Sequence, residues 1–200
     1  MREPFTEYIE KEIESGFVLI ACGLPGTWKT ETTEEVAKIK GCKLLRTDII
    51  RLEVLKNEDI FDEKVASNMS KRTQVYDEIF RQAGAATQSG GCVILDATFV
   101  TQPLRQRAAG IAANNNKTFI ILQTDCPQEV SIKRILARTR DEYVSNALTE
   151  EAYLNNKKKF EPVDLDDLKS RYPDLDIIHL VVDTAEDPPD AWYITKREQR

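Results

Sequence analysis

Apolar residues along the chain fall into short continuous blocks separated by longer amphipathic stretches. GFVLIAC (16–22), CVILDA (92–97), TFIILQ (118–123) and IIHLVVD (177–183) are strand-length apolar runs, the pattern of strands buried on both faces of a sheet. Residues 43–45 read as a further short strand. Between these runs the spacing turns helical. Phe5, Tyr8, Ile9 and Ile13 share one face of an N-terminal helix within residues 1–15. Val75, Ile79, Ala83 and Ala86 mark a helix ending near Gly90-Gly91, and Ile132, Ile135 and Leu136 turn inward over residues 128–140. Helices are also expected from the end of the first apolar run to about Lys40, from Pro103 (a favoured first-turn residue) to about Asn114, and over 150–160. Residues 49–72 are polar and weakly patterned, which predicts helical pieces on the surface. The alternation predicts an α/β fold whose parallel sheet of about five strands is covered by helices on both faces. At 200 residues, with no internal repeat or low-complexity linker, the chain is expected to form one domain.

Candidate chemistry is concentrated where the first strand ends. Gly23-Leu24-Pro25-Gly26-Thr27-Trp28-Lys29-Thr30 fits G-x-x-x-x-G-K-[ST] at every fixed position but one, and it lies after a buried strand and opens a helix, where that loop belongs. Backbone N–H groups of such a loop bind phosphate oxygens at the positive end of the helix dipole. Lys29 can reach the β- and γ-phosphates, and the Thr30 hydroxyl can ligate Mg²⁺. Gly23 and Gly26 are expected to let the backbone turn and approach the ligand. Pro25, Thr27 and Trp28 complete the candidate nucleotide site. Trp28 stands where glycine is expected, and its side chain is expected to crowd the loop. The competing reading is a glycine-rich turn that caps a helix.

The loop is accompanied by RTDIIR (46–51), VILDATF (93–99) and ILARTR (135–140). Together these segments resemble the P-loop kinases with AAA-type ATP-binding domains. Within that group they are similar to 5′-polynucleotide kinases, zeta-toxin-like kinases and small-molecule kinases, over about residues 17–183. The resemblance implies a three-layer P-loop NTPase fold with a small helical lid at about 140–150, and ATP and Mg²⁺ as cofactors. It implies that Asp48 is the general base and Arg51 the acceptor clamp, that Asp96 joins Thr30 at the metal, and that Arg138 is the lid arginine that closes over the transferring phosphate. Arg105 or Arg107 would be the acceptor-side arginine, and Arg134 and Arg140 are lesser lid candidates. Each also has a plainer reading. Asp48 and Arg51 can be an i, i+3 surface ion pair, Asp96 a turn cap, and the remaining arginines solvated helix charges, like the Lys157–Lys159 run.

Composition narrows the partners. Lysine and arginine number 28 against 34 acids, for a net charge of −6, which disfavours broad contact with a phosphate backbone. The acceptor is therefore expected to be a small hydroxyl compound rather than a nucleic acid. The alternatives are a polynucleotide or RNA 5′-hydroxyl kinase, and a nucleotide-binding regulatory protein that has lost transfer activity. No apolar run approaches the roughly 20 residues of a membrane span, and the acidic N-terminus does not read as a signal peptide, so a cytoplasmic protein is expected. Cys22, Cys42, Cys92 and Cys126 show no paired metal-ligand spacing and are expected to be reduced core thiols. The single histidine, His179, reads as a strand residue rather than a ligand or a base.

Overall fold

A computed structural model of the chain describes residues 1–60, 65, 68–88, 90–137, 149–187 and 189–200. Its sheet contains strands β1 (Glu3–Pro4), β2 (Phe17–Cys22), β3 (Lys43–Arg46), β4 (Val93–Asp96), β5 (Thr118–Asp125), β6 (Ile177–Asp183) and β7 (Tyr193–Gln199), in the order β1-β7-β6-β5-β2-β4-β3. The five expected strands form the parallel portion β3-β4-β2-β5-β6. The sheet is longer than expected because β7 adds antiparallel to β6, and β1 pairs antiparallel with the start of β7. Beyond Ile194, β7 runs TKREQ, a charged sequence that suits an open edge and discourages further pairing.

Alternate strand residues face two separate cores, as strand pleating requires. Val18, Ile20, Leu95, Phe119 and Ile121 point to one face. That face is covered by α3 (Thr47–Val54), α4 (Met69–Gln88), α5 (Gln102–Asn114) and α8 (Leu165–Arg171). Leu19, Ile94, Ile120, Leu122 and Leu180 point to the other, under α1 (Phe5–Glu12) and α2 (Lys29–Lys40). Helix α6 (Gln128–Leu136) and α7 (Glu150–Lys159) complete the set. The stretch read as surface pieces is more than that, because Ile50, Leu55 and Ile60 are buried in the first core. Helix α8 was not legible as a helix. It is short, its N-terminus is capped by the Asp164 carboxylate accepting from the Asp167 N–H, and Leu165 and Leu168 anchor it. Among the described residues no helix is long and apolar enough to cross a membrane.

Two cysteines depart from expectation. Cys42 and Cys92 form a disulfide, with Cα atoms 4.9 Å apart. Each stands one residue before a strand, and the parallel register pairs Lys43 with Val93, so residues 50 apart in sequence become neighbours. These two are therefore not the reduced core thiols expected of them. Cys22 and Cys126 are free thiols.

His179 lies within β6, 5% exposed. Its Nε2 is 3.0 Å from Gln123 Oε1. Its Nδ1 is 3.6 Å from Glu198, too far for a hydrogen bond, and has no hydrogen-bond partner among the described residues. Burial drives its pKa down to about 4. The unfolded imidazole binds a proton near pH 6.5 while the folded one stays neutral, so this contribution to stability is complete above pH 6.5 and is lost as pH falls toward 4. Urea unfolding is expected to lose on the order of 2–3 kcal/mol from this residue between pH 7 and pH 4.5. His179→Gln is expected to abolish that part of the loss, and an unchanged pH dependence in the variant would assign it elsewhere.

Candidate active site

Strand β2 lies at the centre of the parallel strands, and the chain leaves its C-terminal end into residues 23–28 before α2 begins at Lys29. Ligands of open α/β sheets bind at this edge. The two glycines are needed for packing behind the loop. Gly23 and Gly26 have φ of 147° and 79°, and a Cβ at either would meet Thr124 Oγ1 at 2.7 Å or the Ser131 carbonyl oxygen at 2.5 Å. Thr27 is buried, and its hydroxyl donates to the Leu24 carbonyl at 2.8 Å and lies 2.7 Å from Thr124 Oγ1. The Thr184 hydroxyl donates to the Thr27 carbonyl at 3.0 Å. The Thr27 side chain therefore braces the loop from behind. Pro25 has no N–H to offer.

Trp28 does not distort the loop. It adopts φ 57°, ψ 36°, the left-handed conformation that a glycine takes without penalty and that costs another residue about 1–2 kcal/mol. Its indole N–H donates to Asp187 at 3.2 Å, and the Arg134 guanidinium stacks 4.8 Å from the ring centroid. These contacts hold the side chain against the outer side of the loop and offset the backbone cost.

Lys29 Nζ donates to the Leu24 carbonyl at 2.6 Å, folding back over the loop. Thr30 Oγ1 donates to Asp96 Oδ2 at 2.7 Å. Asp96 ends β4, almost fully buried, and burial raises its pKa against the opposing pull of the Thr30 hydroxyl and the Lys29 ammonium. The neighbouring strand β3 ends at Arg46, in register with Asp96, and turns directly into α3. Asp48, in the first turn, is gripped by both arms of Arg46, Nε to Oδ1 at 3.2 Å and Nη2 to Oδ2 at 2.7 Å, and accepts the Ile49 N–H at 2.9 Å. Arg46 Nη1 also donates to Glu34 at 2.8 Å. The i, i+3 pairing of Asp48 with Arg51 is not formed among the described residues, because Arg46 takes the carboxylate. Sequence reasoning missed Arg46, although it opens the RTDIIR segment. The signal was its place as the last residue of a strand whose end faces the loop.

Residues 18–163 match the family model of an AAA domain, AAA_33. The chain belongs to this AAA domain family. An uncharacterized protein of Mycobacterium tuberculosis is 28% identical over 121 residues, which are 58% of this chain and 24% of that protein. The chain thus spans about a quarter of the length of the curated relatives it matches. Two solved structures share the fold. A gluconokinase from Sinorhizobium meliloti 1021 has a TM-score of 0.59 at 15% identity, covering 87% of this chain and 85% of that one. A sugar kinase from Janibacter sp. HTCC2649 has a TM-score of 0.61 at 17% identity, covering 86% and 87%. The fold is that of the P-loop kinases.

Within this AAA domain the remaining arginines separate by role. Arg105 is fully buried and donates to the carbonyls of Phe99 (2.9 Å), Val100 (3.4 Å), Glu161 (2.7 Å) and Pro162 (2.9 Å) and to Gln102 Oε1 (3.2 Å). It is a structural peg, neither a solvated charge nor an acceptor ligand. Arg107 pairs with Asp77 at 2.6 Å and stacks on Phe80. Arg134 binds Asp187 at 2.8 Å, the Ala185 carbonyl at 2.9 Å and the Gly26 carbonyl at 3.3 Å, tying the phosphate loop to the segment after β6. Arg138, Arg140 and all of the expected lid up to residue 148 lie outside the described residues. Lys157, Lys158 and Lys159 are exposed, as expected of a charge run.

Proposed function

We propose that this chain is an ATP- and Mg²⁺-dependent phosphotransferase whose acceptor is a hydroxyl group of a small molecule. The observation that carries the reading is the Thr30–Asp96 contact at 2.7 Å behind a phosphate loop, with the Asp48 carboxylate at the end of the adjacent strand. A hydroxyl and a carboxylate are hard oxygen donors. Among the described residues there is no cluster of three acidic, histidine or cysteine side chains. This donor set fits Mg²⁺, which takes one or two protein ligands and fills its shell with phosphate oxygens and water. Thr30 and Asp96 would hold the ion, which when bound neutralises charge on the phosphates.

The chain's own residues do the rest. The N–H groups of residues 24 and 26–30 orient the phosphates at the start of α2, the Gly23 N–H being held by the Thr98 carbonyl. Lys29 exchanges its contact with the Leu24 carbonyl for a phosphate oxygen and adds a positive charge where negative charge develops. Asp48 accepts the proton of the attacking hydroxyl. Arg46 keeps that carboxylate fixed, and Arg51, one turn along α3, holds the acceptor. Arg138 is assigned to the lid on the resemblance alone. Trp28 gives little support to a lost-activity reading, since the loop keeps the backbone conformation a glycine would supply.

The test is transfer of labelled γ-phosphate to a panel of sugars, sugar acids, nucleosides, amino alcohols and 5′-hydroxyl oligonucleotides. Activity with a small hydroxyl compound is the expected result, and MgATP binding without transfer to any member would leave a nucleotide-binding protein. Lys29→Ala is expected to weaken MgATP binding about 10–100-fold, the value of one charged hydrogen bond, with the thermal melt unchanged. Equal affinity by calorimetry would remove the phosphate-loop assignment.

A further inference from the structure

Beside the start of α3 the surface opens into a small cleft of about 80 Å³. Thr47, Arg51, Lys71, Arg72, Tyr76 and Thr98 line its polar side. Its lining among the described residues includes three cations and no carboxylate. Lys71 is offset by an ion pair with Glu58. Arg51 and Arg72 have no carboxylate within ion-pair distance among the described residues. Elsewhere, Arg46, Arg81, Arg107, Arg134 and Arg200 each meet one at 2.6–2.8 Å.

The two guanidiniums also work against each other. Burial lowers the pKa of Arg51, against the pull of the Asp48 carboxylate and Tyr76, and the charge of Arg72 adds a smaller push downward. Placing like charges together in a partly dry cleft raises the energy of the empty protein, and a bound anion relieves both costs. Guanidinium forks match the planar oxygens of carboxylates and the tetrahedral oxygens of phosphates. Thr98 and Thr47, whose hydroxyl donates to the Asp96 carbonyl at 3.1 Å, complete the polar lining beside the ends of β3 and β4. Tyr76, packed against Phe80 and Phe99, forms a rigid wall.

We infer that the acceptor is a small hydroxyl compound bearing a carboxylate or phosphate, with its anionic group held between Arg51 and Arg72 and a hydroxyl presented toward Asp48. This assignment rests on the phosphotransferase reading above and names the substrate class of that same site. In the reaction the acceptor oxygen forms a bond to the γ-phosphorus. The bond from that phosphorus to the β,γ-bridging oxygen breaks, ADP leaves with the electron pair, and the hydroxyl proton passes to Asp48 and then to solvent.

Calorimetry without nucleotide, at low ionic strength, compares matched pairs: gluconate against sorbitol for the carboxylate arm, and glucose 6-phosphate against glucose for the phosphate arm. In at least one arm the anionic member is expected to bind about tenfold or more tighter than its neutral partner. Arg72→Gln is expected to erase that preference and Arg72→Lys to keep part of it, while MgATP affinity stays at the wild-type value in both. If neither anion outcompetes its neutral partner, or if Arg72→Gln leaves the preference intact, the inference is overturned. Labelled-phosphate transfer separates this outcome from failure of the parent reading. Phosphorylation of sorbitol or glucose in preference to the anions, or of a 5′-hydroxyl oligonucleotide alone, sinks the anionic small-molecule acceptor while leaving a kinase. Anion binding with no transfer to any acceptor sinks the kinase reading and leaves the anion site.

Discussion

Asp48→Asn is expected to bind MgATP as the wild type does and to transfer the γ-phosphate roughly 10²–10⁴-fold more slowly, the usual contribution of a positioned general base. The asparagine is nearly isosteric, and its oxygen can still accept the Ile49 N–H. One arm of Arg46 keeps a partner as well, so the start of α3 holds its shape. What disappears is the negative charge that accepts a proton. In a loose phosphoryl transfer the hydroxyl loses its proton late, so the position of the base matters more than its strength. Position is what the two-armed grip of Arg46 supplies, at 2.7 and 3.2 Å. Arg46→Gln, which frees the carboxylate without removing it, is accordingly expected to slow transfer less than Asp48→Asn does. Single-turnover transfer with each variant at saturating MgATP checks both statements. A near-wild-type rate for Asp48→Asn would make this carboxylate a structural partner of Arg46 and place the base elsewhere.

The phosphate loop and the five parallel strands were legible because their signals are local. A continuous apolar run means a strand buried on both faces whatever lies around it, and the loop, strand and helix occupy adjacent residues. The features that escaped depend on register between segments far apart in sequence. Cys42 and Cys92 become neighbours only once β3 and β4 align, and only that alignment sets Arg46 level with Asp96 at the site. Strand β7 was missed because one face of an edge strand is wet, so Ile194 is the one buried residue in YITKREQ. Arginines were the least legible residues. Composition makes an arginine on a helix a surface charge by default, yet Arg105 is among the largest fully buried side chains. Nothing in QPLRQRAAG marks it, because its partners are backbone carbonyls and carry no sequence signature. Trp28 breaks the motif by residue type while keeping the loop's dihedral angles, so the departure read from the sequence overstated its effect on the backbone.

Arg105 carries the largest expected effect on stability. Its guanidinium has no carboxylate partner among the described residues and no solvent exposure. A charge so placed is tolerable only because every direction of the fork ends on an oxygen, and because the Phe160 ring lies 5.2 Å from the guanidinium carbon. The acceptors belong to two segments, residues 99–102 and 161–162, and Arg105 joins them. The first includes Phe99, a buried aromatic residue with φ 40°, a conformation that persists only where its surroundings impose it. It also follows directly on Asp96 and Thr98, whose carbonyl accepts the Gly23 N–H at 3.4 Å, so the peg beneath the core braces the strand end that serves the site. Arg105→Met keeps the apolar stem and takes a donor from four carbonyls and an amide oxygen, of which the Val100 carbonyl keeps the Glu161 N–H at 2.8 Å and Gln102 Oε1 the Asp164 N–H at 3.4 Å. At about 1–3 kcal/mol for each buried acceptor that finds no other partner, reduced by relaxation and entering water, the loss is expected to be about 3–5 kcal/mol. For a chain of this size that lowers Tm by roughly 6–20 °C. Arg105→Lys retains the charge but has three donors where arginine has five, and it is expected to melt between the methionine variant and the wild type. Calorimetric melting of the three proteins decides the matter. If Arg105→Met melts within about 2 °C of the wild type, less than 1 kcal/mol of stability, the peg is dispensable and Phe99 is held in place by its packing against Tyr76 and Phe80 alone.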